Sequence, residues 1–408
     1  MRRAPSEFAG NTDENAYLAC LKVRHQICES ISAFNNDDVR YRMRIDLTHI
    51  TRDKQGQFEV NQPLISDLQV AGLSRREFVC AGGCVTLAAT IPTQLKADNL
   101  VTLGGIYSAP VTHHWISRLH QAALNYVVRG EVDYRYAEGV RAEDFTRVFR
   151  SLSGSGVELI VGDIFANEET ARLIAREFQN VSYLMGSNFQ PSNNYSNFFV
   201  FDSFIQDASY LSGIIGGALS KSGKIGIVGR YSYPSINRLI NAFISGVREL
   251  RSDLEFTVDF QNSWNSPERA AELTYAQIAS GVDVIFADAP GVATIASDSD
   301  IPVIGSFDGL IKAETDTIVT SARWHFEPTL HAALDQIRGH HVTGMDFGIY
   351  SYMRHGGCSL APISVSADRI PEEAIERVAQ READMRSLRF TANVNPQRPF
   401  SGLFPVFE

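Results

Sequence analysis

From residue 99 onward the chain alternates short apolar runs with stretches of helical spacing. No other feature constrains the fold as much. The runs "VELIVGDIF", "KIGIVG", "VDVIFAD" and "PVIGSFD" are strand-like. Between them, "WISRLHQAALNYVV" puts Ile116, Leu119, Ala123 and Val127 on one side, the spacing of an amphipathic helix. "SPERAAELTYAQIASG" opens with Ser266 at the N-cap and Pro267 at the first helical position, and Gly281 follows its end. Apolar strands separated by helices must be covered on both faces, which predicts parallel sheets in an α/β fold. The pattern restarts at "KIGIVGRY", so two doubly wound lobes are expected, with an eight-fold βα barrel as the alternative. The expected division is 99–202 with about 319–341 in lobe 1, and 203–318 with about 342–408 in lobe 2.

In such sheets ligands bind beyond the carboxyl ends of the strands. Tyr107, Ser108, His113, His114 and Trp115 follow the first strand, and Asp163 and Phe165 close "VELIVGDIF". Arg230, Tyr231 and Tyr233 follow "KIGIVG", and Trp264 follows "EFTVDFQNS". Asp288, Asp308 and Trp324 end three later strands, so all three tryptophans fall at strand ends. Aromatic plates with isolated carboxylates suit a flat, neutral or weakly basic small molecule: rings stack on its faces and carboxylates accept its N–H or O–H groups. The candidate ligand-binding residues are therefore Tyr107, His114, Trp115, Asp163, Phe165, Tyr231, Trp264, Asp288, Asp308 and Trp324.

Other chemistries find little support. A formal net charge of -10, with no clustering of Lys and Arg, argues against a nucleic-acid partner. Neither a G-x-x-x-x-G-K-[ST] nor a G-x-G-x-x-G loop occurs, and no G-x-S-x-G elbow. The pairs His113-His114 and His340-His341 point apart on any regular element, and no Cys or His recurs at ligand spacing, so no metal and no cofactor is expected. Lone aspartates at strand ends serve more often as acceptors than as catalysts, so a binder is expected rather than an enzyme.

The stretch "LSRREFVCAGGCVTLAAT" has the form of an export address: Arg75 and Arg76 precede an uncharged run from Phe78 to Leu95. Residues 74–97 are expected to be a twin-arginine signal peptide carrying the protein to the periplasm, with contact to the membrane only through a permease or a lipid on Cys84. Cleavage near Asp98 would leave Cys358 as the only one of the five cysteines. Residues 1–73 are polar; they are either a poorly ordered extension or lie ahead of a downstream start such as Met43.

The blocks "IYSAPVTHHW", "DASYLSGIIGGALSKSGKIGIVG", "NAFISGVREL", "NSWNSPERAAELTYAQIASGVDVIFADAPG" and "ARWHFEP" resemble the BMP family of ABC-transporter substrate-binding proteins. The resemblance spans about residues 99 to 405, and the Asn-Ser-Trp turn with its following helix and strand is its most specific part. It implies Rossmann-like lobes joined by a hinge, the type I periplasmic binding fold. It also implies a purine nucleoside or nucleobase in the cleft, an ABC permease as partner, and no catalysis. Trp115 is similar to the family's base-stacking tryptophan, Trp264 to that of the Asn-Ser-Trp turn, Asp288 and Asp308 to its carboxylates, and Trp324 to the tryptophan before its Gly-Pro, where Glu327 replaces the glycine. The first loop departs from the family's Pro-Val-x-Asp-x-Gly-Trp: Pro110 to Trp115 is one residue shorter, with His113 and His114 in place of Asp and Gly. A family histidine one turn later is offset to His120. A ligand-sensing module of a regulatory protein is the alternative function, and a nucleoside hydrolase a more distant one.

Overall fold

The computed structural model describes residues 41–45, 50–52, 58–60, 65–70 and 100–403, except 165–166, 188, 192–194, 308–316, 341 and 365–368. Phe165, Asp308 and the expected signal at 74–97 therefore lie outside the described residues. Within the first seventy residues, Tyr41–Ile45 pairs antiparallel with Ile65–Val70, and Ile50–Arg52 with Phe58–Val60.

The first lobe is built on β1 (Val101–Ile106), β2 (Val132–Ala137), β3 (Leu159–Asp163), β4 (Ser182–Gly186) and β5 (Phe198–Phe201). All pairings are parallel, in the order β2-β1-β3-β4-β5. Helices α1 (Ile116–Val128), α2 (Ala142–Ser153) and α3 (Glu168–Glu177) connect the first four strands. The second lobe repeats the plan with β6 (Lys224–Gly229), β7 (Glu255–Phe260), β8 (Val284–Ala287), β9 (Val303–Gly305) and β10 (Ile318–Trp324). They run parallel as β7-β6-β8-β9-β10. Short antiparallel strands β11 (Cys358–Leu360) and β12 (Gly402–Leu403) close the two edges. Both sheets thus have the doubly wound order whose switch point lies between the first and third strands. Apart from β2 and β7, which are only partly buried, the parallel strands are nearly continuous in buried residues, as a sheet covered on both faces requires.

Helices α4 (Gln206–Leu219), α5 (Pro234–Val247), α6 (Pro267–Ala279) and α7 (Val292–Asp298) belong to the second lobe, as does α9 (Glu372–Arg386); α8 is Glu327–Arg338. Helix α4 is buried almost all round, which explains its weak amphipathic pattern. It approaches α5 so closely that a Cβ on Gly213 would stand 2.1 Å from the Phe243 carbonyl oxygen, and one on Gly246 1.9 Å from that of Tyr210. Ser266 occupies the N-cap of α6 with no capping bond from its side chain; Pro267 and Gly281, the latter at φ +92°, hold their expected places.

The lobe boundaries differ from expectation in two places. Residues 318–324 belong to the second sheet: β10 pairs with β9 on one side and β11 on the other, which satisfies its buried backbone within that lobe. The chain returns to lobe 1 only after Trp324, where α8 packs on α1 and β1. It also stays in lobe 1 beyond residue 342. The turn Phe347–Ser351 packs on β5 and α8, and the Val200 N–H donates to the Met345 carbonyl at 3.1 Å. The lobes are therefore joined at three crossovers: near Asp202, near Trp324 and near Tyr352.

Candidate functional site

The carboxyl ends of both sheets carry a matching device. In lobe 1 the residue after β1 meets the carboxylate that ends β3: Asp163 accepts from the Ser108 N–H at 2.9 Å and from the Ser108 hydroxyl. Burial raises the Asp163 pKa, and the Ser108 bonds oppose that shift. In lobe 2 the residue after β6 meets the carboxylate after β8. Asp288, 1% exposed, accepts from Arg230 Nη2 (3.1 Å), Nε (3.2 Å) and backbone N–H (3.3 Å), and from Ser306 Oγ (2.6 Å). A buried carboxylate held by a guanidinium fork and a hydroxyl keeps its charge satisfied.

The two devices meet across the cleft. Arg230 Nη1 donates to His114 Nε2 at 3.5 Å. A guanidinium has no acceptor, so Nε2 carries the lone pair and the proton resides on Nδ1. Burial, then the charges of His113, Arg230 and Arg118, push the His114 pKa down to about 3. The ring is neutral at physiological pH and can keep accepting. His114 also meets Phe307 of lobe 2 edge-on at 5.8 Å.

The three tryptophans divide into two groups. Trp115 stacks on Trp324 with centroids 4.4 Å apart, flanked by Phe201 and Phe307. Trp324 is fully buried, and its Nε1–H donates to Ser351 Oγ at 3.0 Å. Ser351 in turn donates to the Asp202 carbonyl at 3.0 Å, so one relay joins the three crossovers. Arg238 of α5 braces the first of them through the Asp202 carboxylate (2.8 Å) and the Ser203 carbonyl (2.9 Å). Trp264 stands apart from this group. It is 54% exposed and forms a cluster with Tyr231 (5.0 Å) and Tyr233 (5.7 Å), with the Arg230 guanidinium 5.4 Å from its ring centroid.

These positions correct the expected site. A planar guest between two rings needs a separation of roughly 7 Å, twice a van der Waals contact, and Trp115 and Trp324 leave no such gap. Trp324 is a buried hinge element in this conformation. Tyr107 is likewise fully buried, its hydroxyl 2.7 Å from that of Tyr134 in a cluster with His120 and Tyr136; the side chain of this strand-end residue turns into the lobe 1 core. Asp288 has its oxygens occupied by protein donors. His114, Asp163, Tyr231 and Trp264 remain partly or largely exposed around the cleft, and Trp115 is half-buried beneath them. Arg230 and Ser108 carry the geometry of the site, although neither was among the expected ligand-binding residues. The signal for Arg230 was a cation directly after an apolar strand and beside two aromatic residues.

Among the described residues no group of His, Cys, Asp and Glu could hold a metal ion, and no helix is long and apolar enough to cross a membrane. Cys358 is buried and unpaired.

The profile of the PnrA-like ABC transporter substrate-binding proteins (Bmp) matches residues 106–344. The chain belongs to this family. A Haloferax volcanii protein, named as a candidate glucose-binding protein of an ABC transporter, is 27% identical over 42% of this chain and 43% of its own length. The nucleoside-binding protein BmpA of a Lactococcus lactis ABC transporter is 22% identical over 50% of this chain and 58% of its own. The chain thus spans about half the length of these curated relatives. An ABC transporter solute-binding protein of Conexibacter woesei superposes with a TM-score of 0.58 at 19% identity, covering 71% of this chain and 98% of that one. That likeness extends over both lobes of the PnrA-like protein and agrees with a periplasmic binding fold.

Proposed function

We propose that the protein is the exported solute receptor of an ABC uptake system and that it binds a purine nucleoside or nucleobase between its lobes. The observation that carries this reading is the contact between Arg230 and His114. It brings the switch points of both sheets to one place, beside the exposed faces of Trp264 and Tyr231. A flat ligand there would bury its faces on aromatic surface and its edges among fixed polar groups, and lobe closure would exclude water around it. Asp288 is already engaged by four protein donors, whereas Asp163 is engaged by Ser108.

Export by the twin-arginine route is part of the proposal, on the strength of Arg75, Arg76 and the uncharged run that follows. The permease is the proposed partner. Because a relative carries the name of a glucose-binding protein, a hexose is the second reading, and one screen separates the two. Isothermal titration with purine nucleosides, nucleobases, pyrimidine nucleosides and glucose should show heat of binding for purines. Trp264→Ala should weaken that binding roughly tenfold or more, as expected for an aromatic face removed from a stacked ligand. Binding of glucose with none of any purine would overturn the purine assignment.

A further inference from the structure

We infer that Arg230 makes the cleft selective for 6-oxopurines over 6-aminopurines, an inference that rests on the purine reading above. Asp288 stands where a ligand carboxylate was expected, yet its Oδ1 accepts Arg230 Nη2 and Ser306 Oγ, and its Oδ2 accepts the Arg230 backbone N–H and Nε. Four donors fill the roughly four lone-pair sites of a carboxylate. No acceptor capacity is left there for an exocyclic amino group.

What Asp288 does instead is fix the guanidinium. With Nε and Nη2 committed, the plane of Arg230 is set and Nη1 points to the lobe interface. Nη1 carries two N–H groups, and the bond to His114 at 3.5 Å is at the long limit. The side chain keeps 13% exposure, and Trp264 lies beside it with an open face. The cleft therefore presents a fixed donor next to an aromatic plate.

A guanidinium needs acceptors opposite it. The O6 and N7 edge of a 6-oxopurine offers two, whereas adenine offers N7 and turns an N6 donor toward the arginine. The opposite lobe has the complementary sign. Asp163 accepts two bonds from Ser108, which leaves it lone pairs for a donor such as the N1–H that a 6-oxopurine carries and adenine lacks. Arg230 Nη1 meets His114 and Asp163 holds Ser108, both on the segment that follows β1, so the donor and the acceptor flank one turn. The sequence donor, plate, acceptor matches the polarity of hypoxanthine or guanine and opposes that of adenine.

Inosine and adenosine differ only in the atoms that carry this polarity, so titration of the full chain with each is the test. Inosine is expected to bind at least tenfold more tightly than adenosine. The double variant Arg230→Gln/Asp288→Asn removes fork and buried carboxylate together, so no unpaired charge remains; with its far-ultraviolet circular dichroism unchanged, it should bring the two affinities within about threefold. Arg230→Lys, which keeps the charge and loses the planar fork, should reduce the preference as well and serves if the double variant does not fold. Adenosine binding as tightly as inosine in the unaltered chain, or a folded variant that retains the tenfold preference, would overturn the inference and leave the purine reading standing. Binding of glucose but of neither nucleoside would overturn the purine reading, and the inference with it.

Discussion

Removing the hydroxyl of Ser351 should test whether the three crossovers act as one hinge. Ser351 is fully buried and sits between the indole of Trp324 and the Asp202 carbonyl, 3.0 Å from each partner. In Ser351→Ala the indole N–H of Trp324 is left buried and unpaired, whereas the Asp202 carbonyl keeps the Phe204 N–H at 3.1 Å, so a loss of about 1–3 kcal/mol is expected. Trp324→Phe removes the indole N–H and part of a fully buried ring. The lost hydrogen bond contributes about 1 kcal/mol, and the lost apolar contact with its residual cavity roughly 1–2 kcal/mol more. In the double variant the indole donor is no longer orphaned by the serine change, so the two losses should fall short of additivity by about 1 kcal/mol. Urea denaturation of the four proteins measures this cycle. At roughly 2–4 °C per kcal/mol for a body of this size, thermal melting should track it. A loss below about 0.5 kcal/mol for Ser351→Ala, or additive losses, would refute the relay.

Two further outcomes follow from the geometry. Gly213→Ala should destabilise the second lobe by roughly 3 kcal/mol or more, because the new Cβ would stand 2.1 Å from the Phe243 carbonyl oxygen; Gly139→Ala, with open space around a φ of +62°, should cost only about 1 kcal/mol, and chemical denaturation compares the two. Burial lowers the pKa of His120 to about 4 from the ordinary 6.5, so the unfolded chain binds the proton first as pH falls. Stability should be full above about pH 6.5 and drop toward pH 4 by up to about 1.4 kcal/mol per pH unit from this residue. His114 acts in the same sense, and the raised carboxyls of Asp163 and Asp207 act in the opposite sense as they protonate. Denaturation at pH 7 and pH 5 should show a smaller loss in His120→Gln than in the unaltered chain, and equal losses would count against a buried neutral imidazole.

How much of this was legible in the sequence depends on the range of the interaction concerned. The alternation of "KIGIVG" or "VDVIFAD" with helical spacing is local, so the two sheets and their helices follow from period and composition. The hinge boundaries do not, because whether "DTIVTSARW" joins the first or the second sheet is decided by its partners β9 and β11, not by its own residues. The same holds at the site. Tyr107, Asp163, Asp288 and Trp324 all stand at strand ends, as read, but standing there does not say which way a side chain turns or whether its polar atoms are already bound. Tyr107 turns inward to Tyr134, and Trp324 to Ser351.

Asp288 is the sharpest case. As a lone strand-end carboxylate it reads as a ligand acceptor; held by Arg230 from 58 residues away, it becomes the support of a donor. A neutral pair formed this way reverses the hydrogen-bonding sign that the cleft offers while leaving its composition unchanged. On the proposed reading, the ligand preference of this protein lies in the pairs between switch-point residues rather than in the residues themselves. The family's aromatic plates are compatible with nucleosides and sugars alike, since both offer a flat apolar face. What separates the candidates is which donors and acceptors remain after the protein has satisfied its own, and in lobe 2 Arg230 presents Nη1, whose bond to His114 is at the long limit.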